Sequence, residues 1–351
     1  MKTQHITVSA HTPDPTAIAQ AAAIIRRGGL VAMPTETVYG LAGDATNPQA
    51  VAAIFAAKGR PTSDPLIVHI ADMTQLATVA HALPDTFALL SETFWPGPLT
   101  ILVPKHAALN HVITAGFATV AVRMPNHPVA LALIRACARP LVAPSANLFS
   151  RPSPTCAAHV LHDLAGRIDA VLDAGESHIG VESTIVDITT TPARILRHGG
   201  IPAEQLSTVL GDIEIATRNV AVGQAAPAPG MLLKHYAPQV PLTIFRGSQR
   251  HIQEAICAYV GNHPQTAWLC YDEDISMAIQ HHIPYQSLGS YQQAHIVATR
   301  LFAALRALDT ADVAYMVTSE PSGGGVAAAI RDRLFRAAEG RIINVDTHPS
   351  C

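Results

Sequence analysis

The sequence predicts two α/β domains: an open, twisted, mixed sheet with helices, then a smaller parallel-sheet α/β domain of Rossmann-like outline. Three observations predict this. Short apolar runs alternate with helical stretches as far as about residue 210. Periodicity stops between about residues 212 and 240, where Gln224-Ala225-Ala226-Pro227-Ala228-Pro229-Gly230 reads as an extended linker. A β-α-β-α rhythm then resumes. The expected boundaries are residues 1–211, a linker or lid at 212–240, and residues 241–351.

Each element has a local reason. Asp14-Pro15-Thr16 starts a helix, Ala17 to Arg27 continues it, and Gly28-Gly29 ends it before the strand Leu30 to Met33. A second helix starts at Asn47-Pro48, runs to about Lys58, and precedes the strand Leu66 to Ile70. Apolar runs predict strands at Thr100 to Val103, Thr119 to Arg123, Leu141 to Ala143, Ala170 to Leu172, Thr184 to Ile188 and Arg194 to Arg197. Trp95-Pro96-Gly97-Pro98 is a turn. In the second domain, strands at Leu242 to Phe245, Ala267 to Cys270, Tyr285 to Leu288 and Val313 to Thr318 alternate with helices near 248–260, 275–281, 291–308 and 326–338.

Composition narrows the function. Charged residues make up 14% of the 351 residues and apolar ones 49%, so the chain can build packed cores. The 23 basic and 26 acidic residues nearly cancel, which argues against strong general binding to nucleic acid. Lysine is confined to Lys2, Lys58, Lys105 and Lys234. No window approaches the roughly 18 apolar residues of a membrane span, and the start does not read as a secretory signal, so the expected location is cytoplasmic. Five widely spaced cysteines without a C-x-x-C pair exclude zinc-ribbon and disulfide frameworks.

Polar clusters stand beside the predicted strands, where α/β sheets place ligand groups. Pro34-Thr35-Glu36-Thr37-Val38-Tyr39 offers hydroxyls and a carboxylate that could orient a small polar substrate, or a capped loop. Lys58 and Arg60 suit a polyphosphate, or else cap the preceding helix. Arg123 ends a strand, positioned to clamp a carboxylate or make a surface ion pair. Ser145, Asn147, Ser153 and Arg197 follow further strands. Lys234-His235-Tyr236 is unusual for a flexible spacer, whereas Pro321-Ser322-Gly323-Gly324-Gly325 matches no nucleotide motif and reads as a tight turn.

In order and wording these clusters resemble the threonylcarbamoyl-adenylate synthase family, the two-domain form with an amino-terminal YrdC-like domain. The resemblance rests on P-T-E-T-V-Y-G-L at Pro34, K-G-R-P at Lys58, P-L-I-V-H at Pro65, W-P-G-P-L-T at Trp95, V-R-M-P at Val122, A-P-S-A-N at Ala143, S-x-P-S-P-T at Ser150, E-S-T-I-V-D at Glu182, L-R-H-G at Leu196 and H-Y-A-P at His235. It implies a nucleotidyltransferase that makes threonylcarbamoyl-AMP and pyrophosphate from L-threonine, bicarbonate and ATP, with Mg²⁺. The product would supply the threonylcarbamoyl group of a modified adenosine beside the tRNA anticodon through a downstream transferase complex, with at most weak RNA contact by this chain.

By that resemblance Thr35, His69, Arg123, Ala143 and Ser183 hold threonine. Lys58, Arg60, Asp64, Thr119, Ser145, Asn147, Ser153, Arg197 and Tyr236 hold ATP, and Lys58, Arg60, Ser145 and Asn147 are the catalytic set. Asp64 departs from a frequent asparagine and is awkward near phosphate. No metal ligands are assigned, although Glu36 and Glu182 are alternative carboxylates for Mg²⁺. The segment Pro229 to Pro238, with Lys234 and Tyr236, is expected to close over the first domain's cleft as a lid. The rivals are an RNA-binding or ribosome-associated module, which the near-neutral charge disfavours, and a carbamoyl-adenylate-forming module of hydrogenase maturation, whose C-x-x-C pairs are missing here.

Overall fold

Proline-led helix starts and short apolar strands build the first of two units in the computed structural model, which describes residues 2–216, 225–231, 233 and 235–346. Unit 1 comprises Met1–Phe149 and Ser153–Leu232, and unit 2 comprises Ser150–Pro152 and Leu233–Cys351.

Unit 1 strings together β1 (Gln4–Thr7), α1 (Pro15–Arg26), β2 (Val31–Met33), β3 (Gly40–Asp44), α2 (Pro48–Lys58), β4 (Ile67–His69), α3 (Asp85–Phe94), β5 (Leu99–Pro104), β6 (Thr119–Arg123), α4 (Pro128–Cys137), β7 (Leu141–Val142), α5 (Ala157–Leu164), β8 (Ala170–Asp173), β9 (Thr184–Asp187), β10 (Ala193–Arg197), α6 (Ala203–Leu210) and β11 (Ile213–Ile215). The strands form one mixed sheet in the order β1-β8-β2-β3-β7-β4-β6-β5-β9-β10-β11. Asp14 and Asn47 cap α1 and α2 through their side chains, each ahead of a proline at the first helical turn. Gly59, at φ +64°, ends α2 in the left-handed conformation that glycine tolerates best.

Alternation along the central strands separates two faces. Val68, Ile101, Val103, Val120, Val122 and Val186 join the main core with α2 and α3. Ile67, Leu102, Ala121 and Ile185 point to the other face, where Ala226, Ala228 and Met231 cover them. His69, Thr100, Arg123 and Ser183 share that second face by the same alternation.

Unit 2 contains β12 (Leu242–Arg246), α7 (Gln249–Asn262), β13 (Thr266–Cys270), α8 (Ile275–Gln280), β14 (Tyr285–Ser287), α9 (Ala294–Leu308), β15 (Tyr315–Ser319), α10 (Ala327–Ala337) and β16 (Ile342–Asn344). Its five strands, in the order β14-β13-β15-β12-β16, are all parallel. The glycine-rich turn before α10 is braced by Arg331, which donates to the carbonyls of Pro321 (3.1 Å) and Gly323 (2.6 Å).

The fold class agrees with the sequence reading, with strands added at β1, β3, β11 and β16. Strand β11 lies within the stretch read as irregular, pairing in parallel with β10. Residues 217–224 of that stretch, Lys234 and Cys351 lie outside the described residues. Cys137, Cys156, Cys257 and Cys270 are free thiols. No described helix is long and apolar enough to cross a membrane.

Candidate active site

The loop after β2 is the first element of the site, and its neighbours pin it by backbone bonds. Ser177 Oγ donates to the Thr35 carbonyl (2.9 Å), Ile179 N–H to Glu36 O (2.9 Å), and Gly180 N–H to Thr37 O (3.1 Å). Thr35 Oγ1 donates to Val38 O at 2.6 Å and lies 2.8 Å from Thr37 Oγ1.

Strand pairing delivers the next groups. β4 and β6 run parallel with His69 opposite Arg123. Arg123 donates from Nη1 to Thr37 Oγ1 (2.9 Å) and from Nε to Gly97 O (3.2 Å), while Nη2 lies 2.6 Å from Glu36 Oε1. Burial, and then the charge of Arg123, hold the His69 imidazole down to about 3, so it is neutral at physiological pH. Ala143, just past β7, gives its N–H to Ile67 O.

Ser183 links the two predicted substrate sets. Its Oγ lies 2.7 Å from Thr100 Oγ1 and accepts from Arg197 Nη2 (3.1 Å), and its carbonyl accepts from Arg197 Nε and Nη2. Gly199 permits this proximity: a Cβ there would stand 2.3 Å from backbone atoms of Glu182, Ser183 and Thr184.

The cationic half surrounds Asp64. Lys58 Nζ donates to the carbonyls of Ser145 (2.5 Å) and Asn147 (2.6 Å). Asn147 therefore acts on Lys58. Burial, reinforced by Arg60, pulls the Lys58 pKa well below the ordinary lysine value. Arg60 donates to the carbonyls of Asp64 and Pro65, and its Nη2 lies 3.0 Å from Asp64 Oδ2. Burial raises the Asp64 pKa, against Arg60, Lys58, Arg197 and the backbone of Gly230, all of which favour its charged form. One carboxylate thus faces three basic side chains. This answers the awkwardness of Asp64: it is the protein's own counter-ion to Arg60.

The segment after β11 returns to this face. Ala226 N–H donates to Ser63 O, and Pro229 O accepts from Arg197 Nη1 at 3.3 Å. Residues 229–231 thus sit on unit 1 as the start of the expected lid. Its continuation differs: Tyr236 belongs to unit 2, buried at φ +61°, with its ring centroid 5.4 Å from that of Phe302 and the Arg333 guanidinium 5.0 Å above it.

The remaining candidates fall in two groups. Ser153 Oγ donates to Glu182 Oε1 at 2.5 Å, inside the site. Thr119 shares the face of Arg123 but begins β6, about 13 Å away at 3.3 Å per residue, so the two are not brought together. Glu36 is engaged with Arg123 and Glu182 with Ser153, and among the described residues no three His, Cys, Asp or Glu side chains group as metal ligands. Sequence reasoning missed Gly97 and Thr100 as members, although the alternation of β5 carried a signal for Thr100.

Two family profiles match in tandem: one described as "Telomere recombination" over residues 23–199, and one described as "Threonylcarbamoyl-AMP synthase, C-terminal domain" over residues 201–339. Threonylcarbamoyl-AMP synthase of Bacillus subtilis is 44% identical over 339 residues, covering 96% of this chain and 97% of that protein. Its namesake from Pyrococcus abyssi is 42% identical over 334 residues, covering 93% and 95%. A crystal structure of P. abyssi Sua5 complexed with L-threonine superposes with a TM-score of 0.89 at 40% identity, covering 98% of this chain and all of that one. With both profiles in order and full-length relatives above 40% identity, the chain belongs to the two-domain threonylcarbamoyl-AMP synthase family.

Proposed function

We propose that this chain joins L-threonine, bicarbonate and ATP into threonylcarbamoyl-AMP with release of pyrophosphate, an adenylyl transfer. The observation that carries the reading is the convergence of Lys58, Arg60 and Arg197 on the single carboxylate of Asp64, with Arg123 and Ser183 on the same sheet face. Excess positive charge in buried surroundings suits a polyphosphate, and a strand-end arginine suits an amino-acid carboxylate.

In this reading Arg123 holds the threonine carboxylate while Thr35, His69, Ala143 and Ser183 shape the pocket around it. The threonine nitrogen becomes a carbamate, and a carbamate oxygen attacks the α-phosphorus as pyrophosphate leaves. Lys58, Arg60 and Arg197 stabilise charge that moves onto the leaving phosphates, so the protein acts by positioning and electrostatics. Asn147 and the Ser145 carbonyl aim Lys58, and Ser145, Ser153 and Thr119 complete the nucleotide site. Magnesium enters on the triphosphate oxygens as part of the substrate. Residues 229–231, with the Pro229 carbonyl on Arg197, act as a lid that keeps water from the mixed anhydride. The product is released in the cytoplasm to a downstream transferase complex that modifies tRNA, and this chain's own RNA contact is weak.

Purified protein given ATP, Mg²⁺, bicarbonate and labelled threonine is expected to release pyrophosphate only when threonine and bicarbonate are both present. Release independent of either would refute the reading.

A further inference from the structure

One ion pair in the site is close but poorly bonded. Glu36 is 1% and Arg123 4% exposed, and their nearest atoms are 2.6 Å apart. Even so, both Glu36 oxygens and Arg123 Nη2 lack a directed hydrogen bond among the described residues. Burying charges in this way is costly unless further groups complete their bonding. An ion pair serving only to fix the arginine would align its hydrogen bonds, and Arg123 is already oriented by Thr37 and Gly97.

The paired charges of Glu36 and Arg123 are complementary to a zwitterion. An α-amino acid carries its carboxylate and its ammonium on the same α-carbon, with the two charges on one edge. A guanidinium beside a carboxylate presents the complementary edge. Resting on the function proposed above, we infer that Glu36 receives the α-ammonium of the amino-acid substrate and takes a proton from that nitrogen as it is carboxylated.

The step balances. The ammonium gives one proton to bicarbonate, which separates into water and carbon dioxide. The freed nitrogen lone pair forms the N–C bond to carbon dioxide. The N–H proton of that adduct passes to a Glu36 oxygen, leaving the carbamate, and Glu36 returns the proton to solvent after product release. Protonated Glu36 no longer repels the new carbamate.

The charged and titratable groups facing this pair are few. His127, the N-terminal cap of α4, interacts with Glu36, and is itself influenced by His178 and His11, while His69 faces Arg123. Burial holds His127 at about 4 and His69 at about 3, so neither titrates above pH 6.

The test uses full-length protein, Glu36→Gln and Glu36→Asp, with L-threonine and 2,3-dihydroxybutanoate, in which a hydroxyl replaces the amine. Calorimetry is expected to show Glu36→Gln losing about 30-fold in threonine affinity while its affinity for the deaminated analogue is unaffected. Pyrophosphate release by Glu36→Gln should fall about 100-fold at pH 7 and recover as pH rises and free amine accumulates. Glu36→Asp should retain part of the preference for the amine, and decides the matter if Glu36→Gln does not fold. Equal losses for both ligands, or wild-type affinity with an unchanged pH profile, would overturn the inference. Failure of the wild-type protein to make threonylcarbamoyl-AMP would instead overturn only the function reading and its carboxylation step, since the calorimetric comparison stands without turnover.

Discussion

Glu36 in unit 1 and Asp274 in unit 2 are equally hidden, yet they are bonded in opposite ways. Asp274 accepts from Gln253 at 2.7 Å and from the Tyr291 hydroxyl at 2.8 Å, with Gln249 and the Tyr271 N–H at 3.4 Å. Tyr291 stacks on Tyr271 with ring centroids 3.9 Å apart, and Arg246 donates two 2.7 Å bonds to Glu320 nearby. Glu36 has an arginine within 2.6 Å and no directed bond among the described residues. The difference separates two uses of buried charge: a network that closes on itself holds a fold together, whereas one with unfilled bonding capacity is arranged for something that arrives.

The comparison can be broken most forcefully at Lys58. Lys58→Met keeps the side chain's length and removes the ammonium that holds Ser145 and Asn147, so pyrophosphate release should fall about 10³-fold with threonine affinity preserved. A loss under tenfold would remove Lys58 from the reacting centre. Asp274→Ala should act in the opposite sense, lowering stability by about 2–3 kcal/mol in urea unfolding while each folded molecule keeps its activity. If activity falls further than the folded fraction, the unit 2 network is functional after all.

The smallest effect concerns acid. The folded-state pKa of His69, about 3, lies below its unfolded value of about 6.5, so the unfolded chain binds the proton first. Its contribution is fully present above pH 6.5 and declines as pH falls toward 3, reaching a loss of about 2 kcal/mol at pH 5. Urea midpoints measured from pH 7.5 to 5 should show this slope together with the similar one of His127, held at about 4, and His69→Gln should reduce the slope while leaving the His127 share.

Legibility in the sequence followed local chemistry. β6 was predicted with both of its ends because Thr119-Val120-Ala121-Val122-Arg123 alternates cleanly, and α2 because Asn47-Pro48 and Gly59 mark its limits. β3 was missed because Gly40-Leu41-Ala42-Gly43-Asp44 lacks strand-forming residues. Packing requires those small residues: a Cβ at Gly43 would lie 3.0 Å from Ile54 Cδ1 and 3.2 Å from Leu30 Cδ2. The edge strands β1, β11 and β16 are only three or four residues long and largely exposed, too short for an alternation to show. Within the site, motif wording named Arg123 and Lys58. Nothing local could show that Arg123 meets Glu36, because that contact depends on how distant strands pair.

The pinning of the loop after β2 gives the molecule a built-in clock. The amides of Ile179 and Gly180 are the donors that hold Glu36 and Thr37 in place. Their deuterium uptake therefore counts how often this loop lets go, and substrate that completes the pocket should slow both amides together. A segment remote in sequence thereby reports, without any label, how long the loop after β2 stays assembled.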